Sequence, residues 1–193
     1  MEKYQAILVV GAPGVGKSTY SKEIVKDGGY FIFSTGDMFR NLNPKTEMGA
    51  KAKEIMDRGD LVDDETVVKL AKETLQRFAQ EGKFDPEKDV LLLDGIPRTL
   101  AQVEMVKDFI EVKQVVSYFV EDEQIMVDRI MSRGEGRSDD TDEEIIRKRI
   151  QKYNEATAPI LRKYPQEILI KLDASRTITE VVEELKEKIY RRN

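Results

Sequence analysis

The fold turns on Ala6-Ile7-Leu8-Val9-Val10 followed by Gly11-Ala12-Pro13-Gly14-Val15-Gly16-Lys17-Ser18. A short, continuous apolar run bounded by glycine reads as a strand buried in a parallel sheet. Gly11 to Ser18 matches G-x-x-x-x-G-K-[ST] in full, and a helical pattern runs on from about Lys17 to Lys26. Strand, glycine loop and helix in that order form a phosphate cradle. The glycines let successive backbone N–H groups turn inward, and the helix adds its own free N–H groups and positive dipole end. Lys17 supplies a point charge, and Ser18 a hydroxyl within reach of a phosphate-bound Mg²⁺.

Outward from this loop, Tyr30–Phe33, Val90–Leu93, Val115–Phe119 and Ile168–Leu172 read as further strands. Helical patterns fall at about 48–58, 63–81, 99–110, 122–133, 141–163 and 177–191. Strands alternating with helices predict an α/β chain, a single domain of three layers around a five-stranded parallel sheet. Ligands of such sheets bind at the carboxyl ends of the strands. Three of those ends carry polar sequences: the glycine loop itself, Ser34-Thr35-Gly36-Asp37, and Asp94-Gly95-Ile96-Pro97-Arg98.

The 193 residues contain no histidine and no cysteine. Mechanisms built on a histidine base are closed, as are disulfides and thiolate or imidazole metal sites. The net charge of −5 argues against a nucleic-acid-binding surface, so any anion site must be a local cluster. No apolar run approaches the ~20 residues of a membrane helix. Met1 leads directly into the first strand without a signal-peptide pattern, so a cytoplasmic location is expected.

Several arginines stand where a solvated surface residue is a poor explanation. Arg40 follows the second strand end and Arg98 the third, Arg129 and Arg133 are one turn apart on a helix, and Arg137 lies in a polar Gly-containing stretch. Arg149 shares the stripe of Ile146, Ile150, Tyr153 and Thr157 and is expected to face inward. An inward guanidinium needs an anion, and phosphate fits its planar fork. Phosphoryl transfer relies on positioning and charge neutralisation more than on a strong base, which suits a histidine-free chain. Arg147 and Arg162 read as ordinary surface residues.

These segments, with Gly59-Asp60-Leu61-Val62, Gln102 and Asp128-Arg129-Ile130, occur in an order and spacing that resemble adenylate kinases and the wider nucleoside monophosphate kinase family over nearly the whole chain. The resemblance implies a P-loop kinase domain spanning 1–193, an AMP-binding segment at 34–62 and a short lid at 133–139. Both insertions are expected to close over substrates, with Gly59, Gly134 and Gly136 beside the hinges. It implies the reaction MgATP + AMP ⇌ 2 ADP, carried out by a monomer. Gly14, Val15, Gly16, Lys17, Ser18 and Thr19 would hold the ATP phosphates, Arg129 and Arg133 would contact ATP, and Arg176 would meet its adenine through the backbone. Thr35, Arg40, Asp60, Leu61, Val62, Gly95, Ile96, Pro97, Arg98 and Gln102 would hold AMP. Arg137 and Arg149 would grip phosphates during transfer, and Lys17, Arg98 and Arg133 complete the catalytic set. Asp94 would order water around Mg²⁺.

The chain departs from the family pattern in three places. Gly16-Lys17-Ser18-Thr19 replaces Gly-Lys-Gly-Thr, Ile96 replaces an aromatic residue before Pro97, and the lid is short. Ser18 brings a direct Mg²⁺ contact within reach, and Ile96 offers the acceptor base an apolar wall without a π-face. A lid without Cys or His rules out the zinc site of some relatives. Thr35 and Gln102 match the adenylate form, whereas UMP/CMP kinases tend to carry Ala at the Thr35 position. A UMP/CMP kinase and a non-catalytic nucleotide-binding module remain the alternatives. A regulatory GTPase is disfavoured because no Asn-Lys-x-Asp segment is present.

Overall fold

The computed structural model describes residues 3–132 and 140–192. Its five strands are β1 (Tyr4–Val10), β2 (Tyr30–Ser34), β3 (Val90–Asp94), β4 (Ile110–Phe119) and β5 (Leu169–Asp173). They form one sheet in the order β2-β3-β1-β4-β5, with every neighbouring pair parallel. The α-helices are α1 (Lys17–Val25), α2 (Thr35–Arg40), α3 (Glu47–Asp57), α4 (Asp64–Gln80), α5 (Leu100–Val106), α6 (Glu123–Met131), α7 (Glu143–Lys152) and α8 (Ile178–Lys188). Among the described residues no helix is long and apolar enough to cross a membrane.

The side-chain period of two explains why the central strands are apolar throughout. Ile7 and Val9 of β1 join a core with Ile24, Val127, Ile130, Ile146, Ile150, Val181 and Leu185, from α1, α6, α7 and α8. Ala6, Leu8 and Val10 point the other way, into a core with Val67, Ala71 and Leu75 of α4 and Val103 and Val106 of α5. Both faces of the sheet are therefore covered, which is the expected three-layer arrangement.

Four elements differ from the sequence-based expectation. Helix α5 ends at Val106 rather than near 110, and β4 begins at Ile110 rather than Val115. The early part of β4 pairs with β1 alone, from Tyr4↔Ile110 onward, while β5 joins only at Val115. Glu111, exposed, is accommodated on that half-open stretch. The expected helix at 141–163 is three pieces: α7, a π-turn at Tyr153–Thr157 and a 3₁₀ segment at Ala158–Lys163. Pro159 has no N–H to continue the α ladder, and its ring crowds the preceding turn. Helix α2, finally, occupies residues expected to be a polar strand end. Ser34 caps it, its hydroxyl accepting from the Asp37 N–H at 3.2 Å.

Candidate active site

The strand order brings the carboxyl ends of β2, β3 and β1 side by side. Asp94, last residue of β3, stands opposite Val9 on one side and Ser34 on the other. One cleft opens there. Gly11, Gly14, Gly16, Lys17 and Ser18 line it from the first strand end, Gly36 and Arg40 from the second, and Asp94 to Arg98 from the third. Arg149, Lys152, Tyr153 and Thr157 line it from α7 and the π-turn, so the broken helix delivers four side chains to one wall.

The glycine loop ends in a helix start unlike the others. Helices α2 to α8 are each capped by a side chain: Ser34, Thr46, Asp63, Thr99, Asp122, Asp142 and Thr177. Helix α1 starts from Gly16, has no side-chain cap and no acidic residue in its first turn. Its positive end is therefore directed at the cleft without internal compensation. Lys17 Nζ donates to the carbonyls of Gly11 at 2.9 Å and Ala12 at 3.2 Å, and lies 4.0 Å from Asp94 Oδ1. The ammonium is thereby held over the loop. Val15 is buried, whereas Ser18 and Thr19 are exposed on the first turn of α1. Tyr20 backs the loop from within the core, its ring stacked on Tyr118 at 4.9 Å between centroids.

Arginines from three elements converge on the same cleft. Arg40 Nη2 bonds Asp37 Oδ1 at 2.6 Å, Arg98 Nε donates to the Gly95 carbonyl at 3.0 Å, and Arg149 Nη1 bonds Asp140 Oδ1 at 2.7 Å. Desolvation holds Arg98 below the usual arginine range; repulsion from Arg149 and Arg40 adds to this, and Asp94 opposes it. It stays cationic at neutral pH all the same. A desolvated arginine beside two further cations calls for an anion. The inward position expected for Arg149 is observed, while Arg147 lies at the surface, paired with Glu143 and Glu123.

A second, smaller pocket adjoins the cleft, lined by Thr35, Gly36, Phe39, Met56, Leu61, Val62, Val67, Gly95, Arg98 and Gln102. Thr35 is buried, and its hydroxyl donates to the Gly95 carbonyl at 3.0 Å, the same oxygen that Arg98 holds. Gly95 has φ 88°, and a Cβ there would lie 2.4 Å from Thr35 Oγ1. Only glycine fits a left-handed backbone at such close approach. Gln102 is 2% exposed, so it is no surface helix residue. Its Oε1 accepts from the Arg98 N–H at 2.7 Å. Ile96 and Pro97 are buried; Ile96 packs into the core beside α4 and α5 while also edging the main cleft.

Asp60 marks the rim between the two pockets. Lys152 and Lys148 of α7 both pair with its carboxylate, the second at 3.1 Å, and their hydrogen bonds lower its pKa to about 2. Arg129 and Arg176 lie at the glycine-loop end. Arg129 Nη1 donates to the Ala174 carbonyl at 2.9 Å, and Arg176 pairs with Glu184 of α8. Both act electrostatically on the Tyr20 hydroxyl, whose pKa burial raises. Arg133 and Arg137, and with them the lid expected at 133–139, lie outside the described residues. Sequence reasoning did not single out Asp140, Lys152 or Asp64 for the site. Asp64 accepts from Gln102 Nε2 at 2.8 Å, and it reads in sequence only as an acidic residue opening a helix.

Among the described residues no group of three or more His, Cys, Asp or Glu could hold a metal. The Ser18 hydroxyl and the Asp94 carboxylate, both lining the cleft, are the hard oxygen donors that suit a Mg²⁺ carried by phosphates.

Comparison with known proteins agrees with this geometry. The family described as adenylate kinase matches residues 9–169. The adenylate kinase of Flavobacterium psychrophilum is 39% identical over 166 residues, covering 82% of this chain and 83% of the relative. That of Pseudarthrobacter chlorophenolicus is 36% identical over 191 residues, 95% of each chain. That of Photorhabdus laumondii is 35% identical, covering 93% of this chain and 97% of its own. The family match and these relatives, each covering most of the chain, show that the chain belongs to the adenylate kinase family.

Proposed function

We propose that this protein transfers the terminal phosphoryl group of MgATP reversibly to AMP, giving two ADP, and so balances the adenine nucleotides. One observation carries this: the uncapped start of α1 and the Arg40, Arg98 and Arg149 side chains face a single cleft. Two anions held on its opposite sides are aligned for in-line transfer between them. The donor phosphates rest on Gly14 to Thr19, with Arg129, Arg133 and the Arg176 backbone along the nucleotide. The acceptor phosphate sits among Arg40, Arg98, Arg137 and Arg149. Its base enters the pocket of Thr35, Val62 and Gln102, with Asp60 and Leu61 at the entrance.

Lys17 carries positive charge between the two sites, and with the arginines neutralises charge that builds on the transferring oxygens. No side chain needs to act as a strong base. Mg²⁺ arrives with ATP and supplies further charge neutralisation; Ser18, and Asp94 through water, would hold it. The segment at 34–62 and the lid at 133–139 close over the nucleotides and exclude water, which would otherwise accept the phosphoryl group. A cytoplasmic monomer that engages neither nucleic acid nor membrane belongs to the same proposal, and size-exclusion chromatography checks the monomer.

The direct test is ADP formation by the purified protein from ATP with AMP, UMP or CMP as acceptor. AMP is expected to exceed the pyrimidine nucleotides by orders of magnitude. Nucleotide binding without ADP from any acceptor would leave only a binding module and overturn the proposal.

A further inference from the structure

We infer that Asp64 is a positioning residue that sets which acceptor base is admitted, by locking the Gln102 side-chain amide in one orientation. This rests on the proposal that Gln102 meets the acceptor base. Asp64 opens α4, and Gln102 lies in the first turn of α5. Gln102 Nε2 donates to Asp64 Oδ1 at 2.8 Å, while Gln102 Oε1 accepts from the Arg98 N–H at 2.7 Å. Rotating the amide by half a turn would set its oxygen against a carboxylate and its NH₂ against an N–H. Both bonds would be lost, so the carboxylate decides which end of the amide is nitrogen.

Asp64 is itself held. Its Oδ2 accepts from Thr99 Oγ1 at 3.0 Å, and Thr99 Oγ1 accepts from the Gln102 N–H at 3.1 Å. The side chain and backbone of Gln102 thus close a ring through Asp64 and Thr99. With Gln102 buried and Asp64 and Thr99 half-buried, such a ring resists rearrangement.

The consequence is chemical. A primary amide is both donor and acceptor, and a free one can flip to suit either order of groups on a base. With one N–H given to Asp64 and one lone pair to Arg98, a single N–H and a single lone pair remain, in an order that cannot reverse. Adenine presents a ring acceptor beside an exocyclic donor. Hypoxanthine, with the same shape, presents the reverse. A locked amide tells them apart, and a flipping amide does not.

The test compares kcat and KM for AMP and for inosine monophosphate in the unsubstituted protein, Asp64→Asn, Gln102→Ala and the double variant. An asparagine keeps the shape of Asp64 but can offer either an oxygen or an NH₂. Asp64→Asn is expected to raise KM for AMP about tenfold, with kcat changed less than about threefold, and to narrow the AMP preference about tenfold. On the Gln102→Ala background it should narrow the preference no further.

Equal losses with both acceptors, leaving the preference intact, would overturn the role of Asp64 if Gln102→Ala alone narrows it. A preference untouched by Gln102→Ala would instead overturn the underlying assignment of Gln102. Should Asp64→Asn fail to fold, the two Gln102 side-chain amide protons can be followed by NMR in the unsubstituted protein. AMP is expected to shift only the proton not held by Asp64; equal movement of both would refute the lock.

Discussion

Gly95→Ala puts the acceptor side of the cleft under the sharpest test. Gly95 has φ 88°, and its added Cβ would meet Thr35 Oγ1 at 2.4 Å and Arg98 Nη2 at 2.9 Å. The left-handed backbone alone costs about 1–2 kcal/mol for a residue with a side chain. Displacing Thr35 from the Gly95 carbonyl removes a buried hydrogen bond, about 1 kcal/mol more. A loss of about 3 kcal/mol lowers Tm by roughly 6–12 °C in a chain of this size. Gly28→Ala is the matched control, since its φ is 78° and a Cβ there meets nothing within 4 Å. It carries the backbone strain without the collision. Calorimetry should therefore place Gly95→Ala several degrees below Gly28→Ala. Kinetics should show kcat/KM for AMP lowered at least about tenfold in Gly95→Ala and unchanged in Gly28→Ala. Equal Tm values, or a Gly95→Ala protein with normal AMP kinetics, would refute the role given to this carbonyl and its two partners.

Removing the Arg98 guanidinium by Arg98→Ala should lower kcat/KM for AMP by about 10²–10³ while the folded state persists by circular dichroism; near-normal turnover would remove it from the site. Asp60 links the 34–62 segment to α7, and hydrogen bonds from Lys152 and Lys148 hold its folded pKa at about 2, below the ordinary aspartate value of 3.8. Its contribution is therefore complete above pH 4 and lost as pH falls toward 2. Solvent screening at the rim limits it to about 0.5–1 kcal/mol. Urea titrations should show Asp60→Asn less stable than the unsubstituted protein at pH 6 and equal to it near pH 2; a constant gap would contradict the assignment. Ser18→Ala should raise the Mg²⁺ concentration needed for half-maximal turnover several-fold, about 1 kcal/mol of metal affinity. An unchanged Mg²⁺ dependence would place the hydroxyl away from the metal.

The parts legible in the sequence were those with a strong local signal. Alternation cannot show in β1 and β3, because both faces are covered, so the unbroken Ile7-Leu8-Val9-Val10 and Val90-Leu91-Leu92-Leu93 runs announced buried strands directly. The inward turn of Arg149 followed from the spacing of Ile146 and Ile150, both almost fully buried. Helix α2 went unread because Gly36 and Asp37 look like loop residues, although Ser34 with Asp37 three places on is a helix-start signal. The first half of β4 was hidden by Glu111, Lys113 and Gln114, polar residues tolerated where only β1 pairs with the strand. Asp64 and Asp140 were beyond reach for a different reason. Each acts through a partner set by tertiary packing, Gln102 in one case and Arg149 in the other.

The missing side-chain cap on α1 has a further consequence. Among the described residues seven α-helices are finished by their own sequence, whereas α1 has no side chain to finish it. On the proposed function, a bound phosphate would fill the place that Ser, Thr or Asp fills elsewhere, and substrate would double as a structural part. Nucleotide at a hundred times its Kd would then add about 2.7 kcal/mol to the folded state, drawn from surroundings rather than sequence. An enzyme built this way is firmest where nucleotide is plentiful and loosens as the supply runs down.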